Sequence, residues 1–383
     1  MSASLQTTIA LILVVLTVVA FFYRWLRDRK KSGCGGGCGC SFNKIKFQME
    51  EKRLTNIAFT YANTVLCDGA GSQLHRLYGV YALSRRFNVS YYHSPLKEIG
   101  YQGVVALEKN ENSAELLKRY NDIFNIPSDI ELPKKFEIIS LEIGDGEALA
   151  KLVQHAREKK NKFFLVALVC TAPFSDRNPT VFECVKPLSP FKKKSSPIFR
   201  VAIHVRWGDL PIGHAERLLP NDYYIKAATK VIELLEKAKI PFVCELHTEL
   251  PTKPFLVTAD HHGMKNRIDR YRPEEPVMLT PEQYGISDFD AIPNLQQRIN
   301  EDPIETLEAL ATADLLMMSK SSFSYLAALF NQEGSVLYAP FWHPPMADWI
   351  KWNPPILFTE AFEEYCEKWK KMAAKNTKSY EKE

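Results

Sequence analysis

The sequence predicts an α/β protein of two doubly wound, Rossmann-like domains facing a cleft, preceded by one transmembrane helix. Three observations predict it. Apolar runs of strand length alternate with segments of helical spacing over most of the 383 residues. A proline-rich stretch, Phe174–Pro197, cuts that alternation in two. The chain from Met1 to Tyr23 carries no charged side chain.

The N-terminal segment comes first. Ile9–Tyr23 is almost wholly aliphatic and aromatic, and with Trp25 and Leu26 it reaches the length a tilted helix needs to span a bilayer. A cleaved signal peptide would want positive charge before the apolar run and small residues at its end, and neither is there. Residues 1–26 are therefore expected to be a retained anchor, with the lipid bilayer as a partner. Arg24, Arg27, Arg29, Lys30 and Lys31 all follow the helix, so the positive-inside rule puts the C-terminal domain in the cytoplasm. Residues 27–54 form a basic, Gly/Cys-rich tether. Cys34, Cys38 and Cys40 in it suit S-palmitoylation, a three-ligand zinc site, or a plain flexible linker. The other five cysteines are irregularly spaced and imply no disulfide framework. A net charge of +4 without an arginine stripe or aromatic-basic interleaving argues against nucleic acid.

The first α/β domain is expected over residues 55–185. It reads as a strand at Thr60–Cys67, a turn at Asp68–Gln73, a helix at Leu74–Phe87 and a strand at Val89–His93. Helices at Ser113–Asn125 and Asp145–Lys159 and a buried strand at Phe163–Cys170 follow. Residues 186–197, with prolines and Lys192–Lys194, read as a solvated linker. The second domain is expected over residues 198–375, followed by a polar tail at 376–383. Its strands read as Ile198–Val205, Phe242–Leu246, Phe255–Thr258, Leu315–Met318 and Ser335–Tyr338. Its helices read as Asn221–Lys239, Ile304–Ala311, Phe323–Phe330 and the closing Thr359–Ala374.

Two constellations carry chemistry. In Val201–Asp209 an apolar strand runs into His204, Arg206 and Asp209, where polar groups at a strand's carboxyl end meet the cleft. An arginine fork suits an anionic diphosphate; an internal ion-pair network is the plainer alternative. In Ala313–Ser324 a short strand ends in Ser319, Lys320, Ser321, Ser322 and Ser324, which open a helix and can cap it or hold a phosphate at its N-terminus.

These residues resemble the fucosyltransferase superfamily of α1,2-, α1,6- and protein O-fucosyltransferases. The family's His-x-Arg-x-x-Asp motif is matched by His204–Asp209. Its Leu-Pro-x-x-Tyr-Tyr is matched by Leu219–Tyr224, its Ser-Ser-Phe-Ser by Ser321–Ser324, and its Gly-x-Gly-x-Gln loop by Gly69, Gly71 and Gln73. The resemblance implies a GT-B glycosyltransferase that inverts the anomeric centre and transfers fucose from GDP-fucose to a glycan or protein hydroxyl, with no metal or other cofactor. It implies that Arg206 binds the diphosphate, that His204 lies on the nucleoside side, and that Ser321, Ser322 and Ser324 complete the cradle. Most relatives carry a second arginine where this chain has Trp207, and Glu305 is the nearest match to their guanine-binding acid. The same fold could instead serve a catalytically silent sugar- or nucleotide-binding protein, or a transferase using another nucleotide sugar. Many relatives work in the Golgi lumen, which opposes the cytoplasmic placement from charge.

Asp209, His214 and Glu216 are candidate general bases, with Asp209 first because it stands nearest the strand end. His214 and Glu216, like Gly69, Gly71 and Gln73, fall on loops that would line the cleft or meet the acceptor. Two other motifs are weaker. Asp288-Phe289-Asp290 lacks the preceding buried strand of a manganese-binding Asp-x-Asp. Gly69-Ala70-Gly71 lacks the third glycine of a dinucleotide fingerprint.

Overall fold

A computed structural model describes residues 53–64, 68–143, 146–171, 175–213, 217–261, 273, 275–352 and 359–380. The predicted membrane helix, the tether up to residue 52, His214 and Glu216 lie outside them. Among the described residues no helix is long and apolar enough to cross a membrane. The chain divides after Glu51, and Lys52–Glu383 is one compact unit holding both sheets.

The first sheet has four parallel strands in the order β2-β1-β4-β3: β1 (Leu54–Tyr61), β2 (Val89–Tyr91), β3 (Glu137–Ile143) and β4 (Phe164–Cys170). Helix α1 (Ala70–Arg86) connects β1 to β2, a short α2 (Val104–Glu108) and α3 (Ala114–Ile123) follow, and α4 (Gly146–Glu158) joins β3 to β4. The strand expected at Thr60–Cys67 instead begins six residues earlier. The polar Asn56 is accommodated in it because its side-chain amide donates to the carbonyl of Ala156 at the end of α4, 2.7 Å away. The turn expected at Asp68–Gln73 is also corrected: from Ala70 onward it is already the first turn of α1. Glycine and alanine hide a helix start from periodicity, which detects it only at Leu74.

The second sheet is six parallel strands in the order β12-β11-β10-β5-β6-β9. These are β5 (Phe199–His204), β6 (Phe242–Thr248), β9 (Leu295–Ile299), β10 (Leu315–Met317), β11 (Ser335–Tyr338) and β12 (Ile350–Lys351). Strands β7 (Phe255–Val257) and β8 (Val277–Leu279) form a separate antiparallel pair, so the strand expected at Phe255 does not join the main sheet. Helices α5 (Asn221–Lys237), α6 (Pro303–Ala311), α7 (Ser322–Phe330) and α8 (Thr359–Tyr380) cover the sheet. Phe199, Val201, Ile203 and Leu315 pack with Val231 and Leu235 of α5 and Phe362, Cys366 and Trp369 of α8. Removing each large apolar side chain of this core from water contributes roughly 1.5–3 kcal/mol.

The proline-rich linker is not simply solvated. It winds through 3-10 turns at Pro179–Cys184 and Lys186–Leu188, buries Phe182 and Val185, and pairs Lys193 with the buried Asp314. Asp314 also accepts from the Arg200 backbone and from the Trp369 indole at 2.8 Å, which ties α8 to the sheet.

Both sheets reverse strand order at their centres. In the first the reversal lies between β1 and β4, in the second between β5 and β10. Ligands of doubly wound sheets bind beyond the carboxyl ends of strands at such points.

Candidate functional site

One cleft of about 510 Å³ gathers the loops from both reversals. From the first half come Asp68–Ser72, His75 and Arg76 after β1, with Tyr101–Gly103. From the second come His204, Arg206 and Asp209 after β5, Thr248 and Glu249 after β6, and Ser321–Phe323 after β10. The volume is that of an ordinary small-molecule site.

Arg206 is the centre of its electrostatics. Its guanidinium bonds Asp209, which is 2% exposed, and lies 3.8 Å from Glu249 and 4.9 Å from the Tyr101 ring centre. Burial opposes the charge on Arg206, but Asp209, Tyr101 and Glu249 outweigh it and hold its pKa above the ordinary value. The Tyr101 hydroxyl donates to Glu249 at 2.6 Å, and the Val104 backbone donates to the same oxygen. This carboxylate therefore ties the first half's loop to the second half's arginine. Gly208 between them has φ +49°, and a Cβ there would lie 2.4 Å from both Arg206 Nη1 and the Tyr101 hydroxyl. Only glycine fits that turn.

Two helix N-termini meet at the cleft. Helix α1 starts after Gly69 with no capping side chain. Helix α7 starts after Ser321, whose hydroxyl accepts from the Phe323 backbone at 3.2 Å. They approach so closely that a Cβ on Gly71 would be 2.6 Å from Phe323 Cα. Their positive dipole ends and unbonded amides favour an anion at this junction. His204 stands beside them, its Nδ1 2.8 Å from Ser319 Oγ and its ring 5.6 Å from that of Phe323. Burial first, then Arg206 and His247, push its pKa down to about 3, so it is present as a neutral imidazole. A neutral ring can take one hydrogen bond from a ligand while adding no charge.

The structure brings Gly69, Gly71, His204, Arg206, Asp209, Ser321 and Ser322 to one cleft. Three expected contacts are corrected. Gln73 faces inward, its amide donating to the Asp68 and Glu98 carbonyls, so it shapes the loop rather than lining the cleft. Ser324 is wholly buried and donates to the carbonyls of Ser319 and Ser321, which fixes the turn before α7. Glu305 is exposed in the first turn of α6 and stands outside the lining; Glu301, Pro303 and Thr306 of the same segment line it instead. Asp209 is held on Arg206, which makes it an orienting group rather than a free base. Asp288 and Asp290 lie outside the cleft in a 3-10 turn, bonded to Asn221 at 2.9 Å and to Gln297 at 3.3 Å.

Several lining residues escaped sequence reasoning: Tyr101, Glu249, His75, Arg76, Arg217, Trp342 and His343. His75 is 3% exposed and its Nε2 has no hydrogen-bond partner among the described residues. Its ring lies 4.3 Å from that of His343, and burial, then His343 and Arg76, hold its pKa well below the usual value. The one local signal for the second pair was Trp342-His343 set among prolines after a buried strand.

A family model described as FeoB-associated Cys-rich membrane protein matches residues 6–44. That match covers residues 6–26 of the predicted anchor and residues 27–44 of the Gly/Cys-rich tether, and stops short of both sheets. No curated protein matches the chain.

Proposed function

We propose that the chain is a membrane-anchored GT-B glycosyltransferase that transfers fucose from GDP-fucose to a glycan or protein hydroxyl, with inversion and without a metal. One observation carries the reading: two helix N-termini and a buried arginine from facing parallel sheets converge on one cleft, an arrangement suited to a diphosphate. In a single displacement the acceptor oxygen attacks the anomeric carbon while the bond to the diphosphate breaks. Negative charge then grows on the leaving oxygen, where Arg206 and the amides at Gly71 and Ser322 would stabilise it. Asp209, Glu249 and the Tyr101 ring together hold the Arg206 fork in place. The anchor draws support from the uncharged N-terminus and from a matching family whose description names a membrane protein. The charge rule favours a cytoplasmic catalytic domain.

A catalytically silent nucleotide-binding protein on the same fold is the second reading, and Trp207 favours it. Where relatives place a second arginine, Trp207 is 3% exposed and packs on Tyr284 and Phe289 as part of the core. The site therefore draws on one arginine at this turn.

A thermal-shift screen of the detergent-solubilised chain against GDP, UDP, CMP and their sugars tests the proposal. A ligand selective for the folded state adds about 2.7 kcal/mol at a hundredfold excess over Kd. Guanosine ligands are expected to raise Tm and the others to do so weakly. A response to uridine or cytidine ligands alone would move the donor, and no response to any would remove the reading.

A further inference from the structure

The same cleft that holds the proposed diphosphate cradle is also lined by a second polar arrangement that the displacement step leaves unused. His343 Nδ1 is 2.8 Å from Asp176 Oδ1, and the Trp342 indole donates to His343 Nε2 at 3.2 Å. An indole N–H can only donate, so Nε2 holds the lone pair and Nδ1 holds the proton that goes to Asp176. The ring is 5% exposed and wedged between His75 of α1, at 4.3 Å, and Tyr325 of α7, at 5.1 Å. His75 and Tyr325 each sit about one turn inside the two helices whose N-termini form the cradle, and a turn rises roughly 5.4 Å. His343 thus lines the same cleft as the cradle residues Gly71, Arg206 and Ser322.

Trp342 lines that cleft yet is 53% exposed, beside Phe341 at 3.8 Å and under the Arg217 guanidinium at 4.6 Å. An indole half in water and half on apolar neighbours suits a molecule with an apolar ring face and hydroxyl edges. A sugar ring has both.

Granting the transferase reading above, we propose that His343, oriented by Asp176, is the general base of the reaction and that its acceptor is a carbohydrate seated against Trp342. The acceptor hydroxyl replaces the Trp342 indole at His343 Nε2. Its proton passes to Nε2 and its oxygen bonds the anomeric carbon. The bond from that carbon to the diphosphate breaks, and its electron pair leaves on the nucleoside diphosphate. Asp176 balances the imidazolium that forms. Asp176 is a positioning residue, since it acts only through His343.

The test uses the full chain in detergent, GDP-fucose as donor, and oligosaccharides released from membrane glycoproteins and glycolipids as acceptor pool. GDP affinity is measured alongside. The wild type is expected to bind GDP and label the pool. His343→Gln should bind GDP as well as wild type and lose about 10²- to 10⁴-fold in kcat. Asp176→Asn, a change at a partly exposed site that spares the fold, should lower kcat about tenfold or more with the donor KM unchanged, because an amide permits the wrong imidazole tautomer. Trp342→Ala should raise the KM for the oligosaccharides and leave that for the donor alone. If the wild type binds no GDP, the transferase reading itself falls. If it binds GDP and labels the pool while His343→Gln transfers within threefold of it, His343 is not the base. Loss of GDP binding in His343→Gln would place the residue in the donor site and overturn the assignment. Hydrolysis of the donor with no labelling of any oligosaccharide would overturn the carbohydrate acceptor.

Discussion

Removing Arg206 should damage stability and donor binding by separate routes, and a double-mutant cycle can separate them. Asp209 is 2% exposed, and its carboxylate is bonded to the guanidinium. Arg206→Ala strands that charge in a buried place, a loss of about 3–5 kcal/mol for one partner of a buried pair. Asp209→Ala strands the arginine less, because Glu249 at 3.8 Å and the Tyr101 ring still face it. Arg206→Ala/Asp209→Ala removes both charges, so its stability should lie within about 1–2 kcal/mol of wild type, the cost of the packing it loses. Urea unfolding reads the stability and isothermal titration reads GDP affinity. If the guanidinium binds the diphosphate, the restored double variant still lacks GDP binding, while Asp209→Ala alone retains most of it. A folded double variant with wild-type GDP affinity would remove Arg206 from the donor site. An unfolded Arg206→Ala that the second change fails to rescue would refute the account of the pair.

Other expectations follow from single contacts. Gly71→Ala places a methyl against the Phe323 backbone, where nothing flexible can yield, so it should cost about 1–3 kcal/mol and weaken GDP binding by moving the helix ends apart; retained affinity would refute the shared cradle. His247 is buried, and burial first, against the raising effect of Glu245, holds its pKa down to about 4 from 6.5. The unfolded chain therefore binds the extra proton between those values, stability is complete above pH 6.5, and about 3 kcal/mol is lost on acidifying to pH 4. His247→Gln should flatten the unfolding free energy across that window, and an unchanged slope would show that other groups govern it. Transfer should survive EDTA, since Asp288 and Asp290 are bonded away from the cleft, and a strict manganese requirement would make them metal ligands. Protease added to intact membrane vesicles should remove a C-terminal tag from a cytoplasmic domain. Asn88-Val89-Ser90 is an N-glycosylation sequon; protection of the tag, with a glycosidase-sensitive shift abolished by Asn88→Gln, would place the domain in the lumen, and since Ser90 is buried in the folded domain any glycan must be added before folding.

The central strands were legible because continuous apolar runs such as Phe164–Cys170 and Val201–Ile203 have no other place to go than a sheet buried on both faces. The edge strands β9, β3 and β12 were not, although the edge strand β2 was. β9 reads Leu-Gln-Gln-Arg-Ile, and its Arg298 looks like loop chemistry until β6 sets Glu245 3.1 Å away. β3 at the other sheet's edge was missed for the same reason, with Ile138 63% exposed. In the site, Arg206, Asp209 and Ser321–Ser324 showed because each stands directly after a strand. Glu249 also follows a strand, but its meaning depends on Tyr101, 148 residues away in sequence, which no local spacing reveals. Asp176 and His343 are 167 residues apart and meet only through the fold.

The contacts that cross the cleft also limit how it can work. Gly71 abuts Phe323, Tyr101 bonds Glu249, Arg119 holds Asp302 through two hydrogen bonds of 2.7 and 2.9 Å, and Asp176 reaches His343. Each joins a residue before β5 to one after it. Asp302 also caps α6 by accepting from the Ile304 and Glu305 amides, so pulling Arg119 away would disturb that helix start as well. Wide opening of the two sheets would break all of these at once, including close backbone packing that cannot stretch. The cleft is therefore best understood as formed before a ligand arrives, with movement confined to side chains at its mouth. Trp342 is the exposed group there. Its indole donates to the His343 lone pair, and its swing away is the smallest motion that would offer that lone pair to an incoming hydroxyl while every crossing contact stays closed.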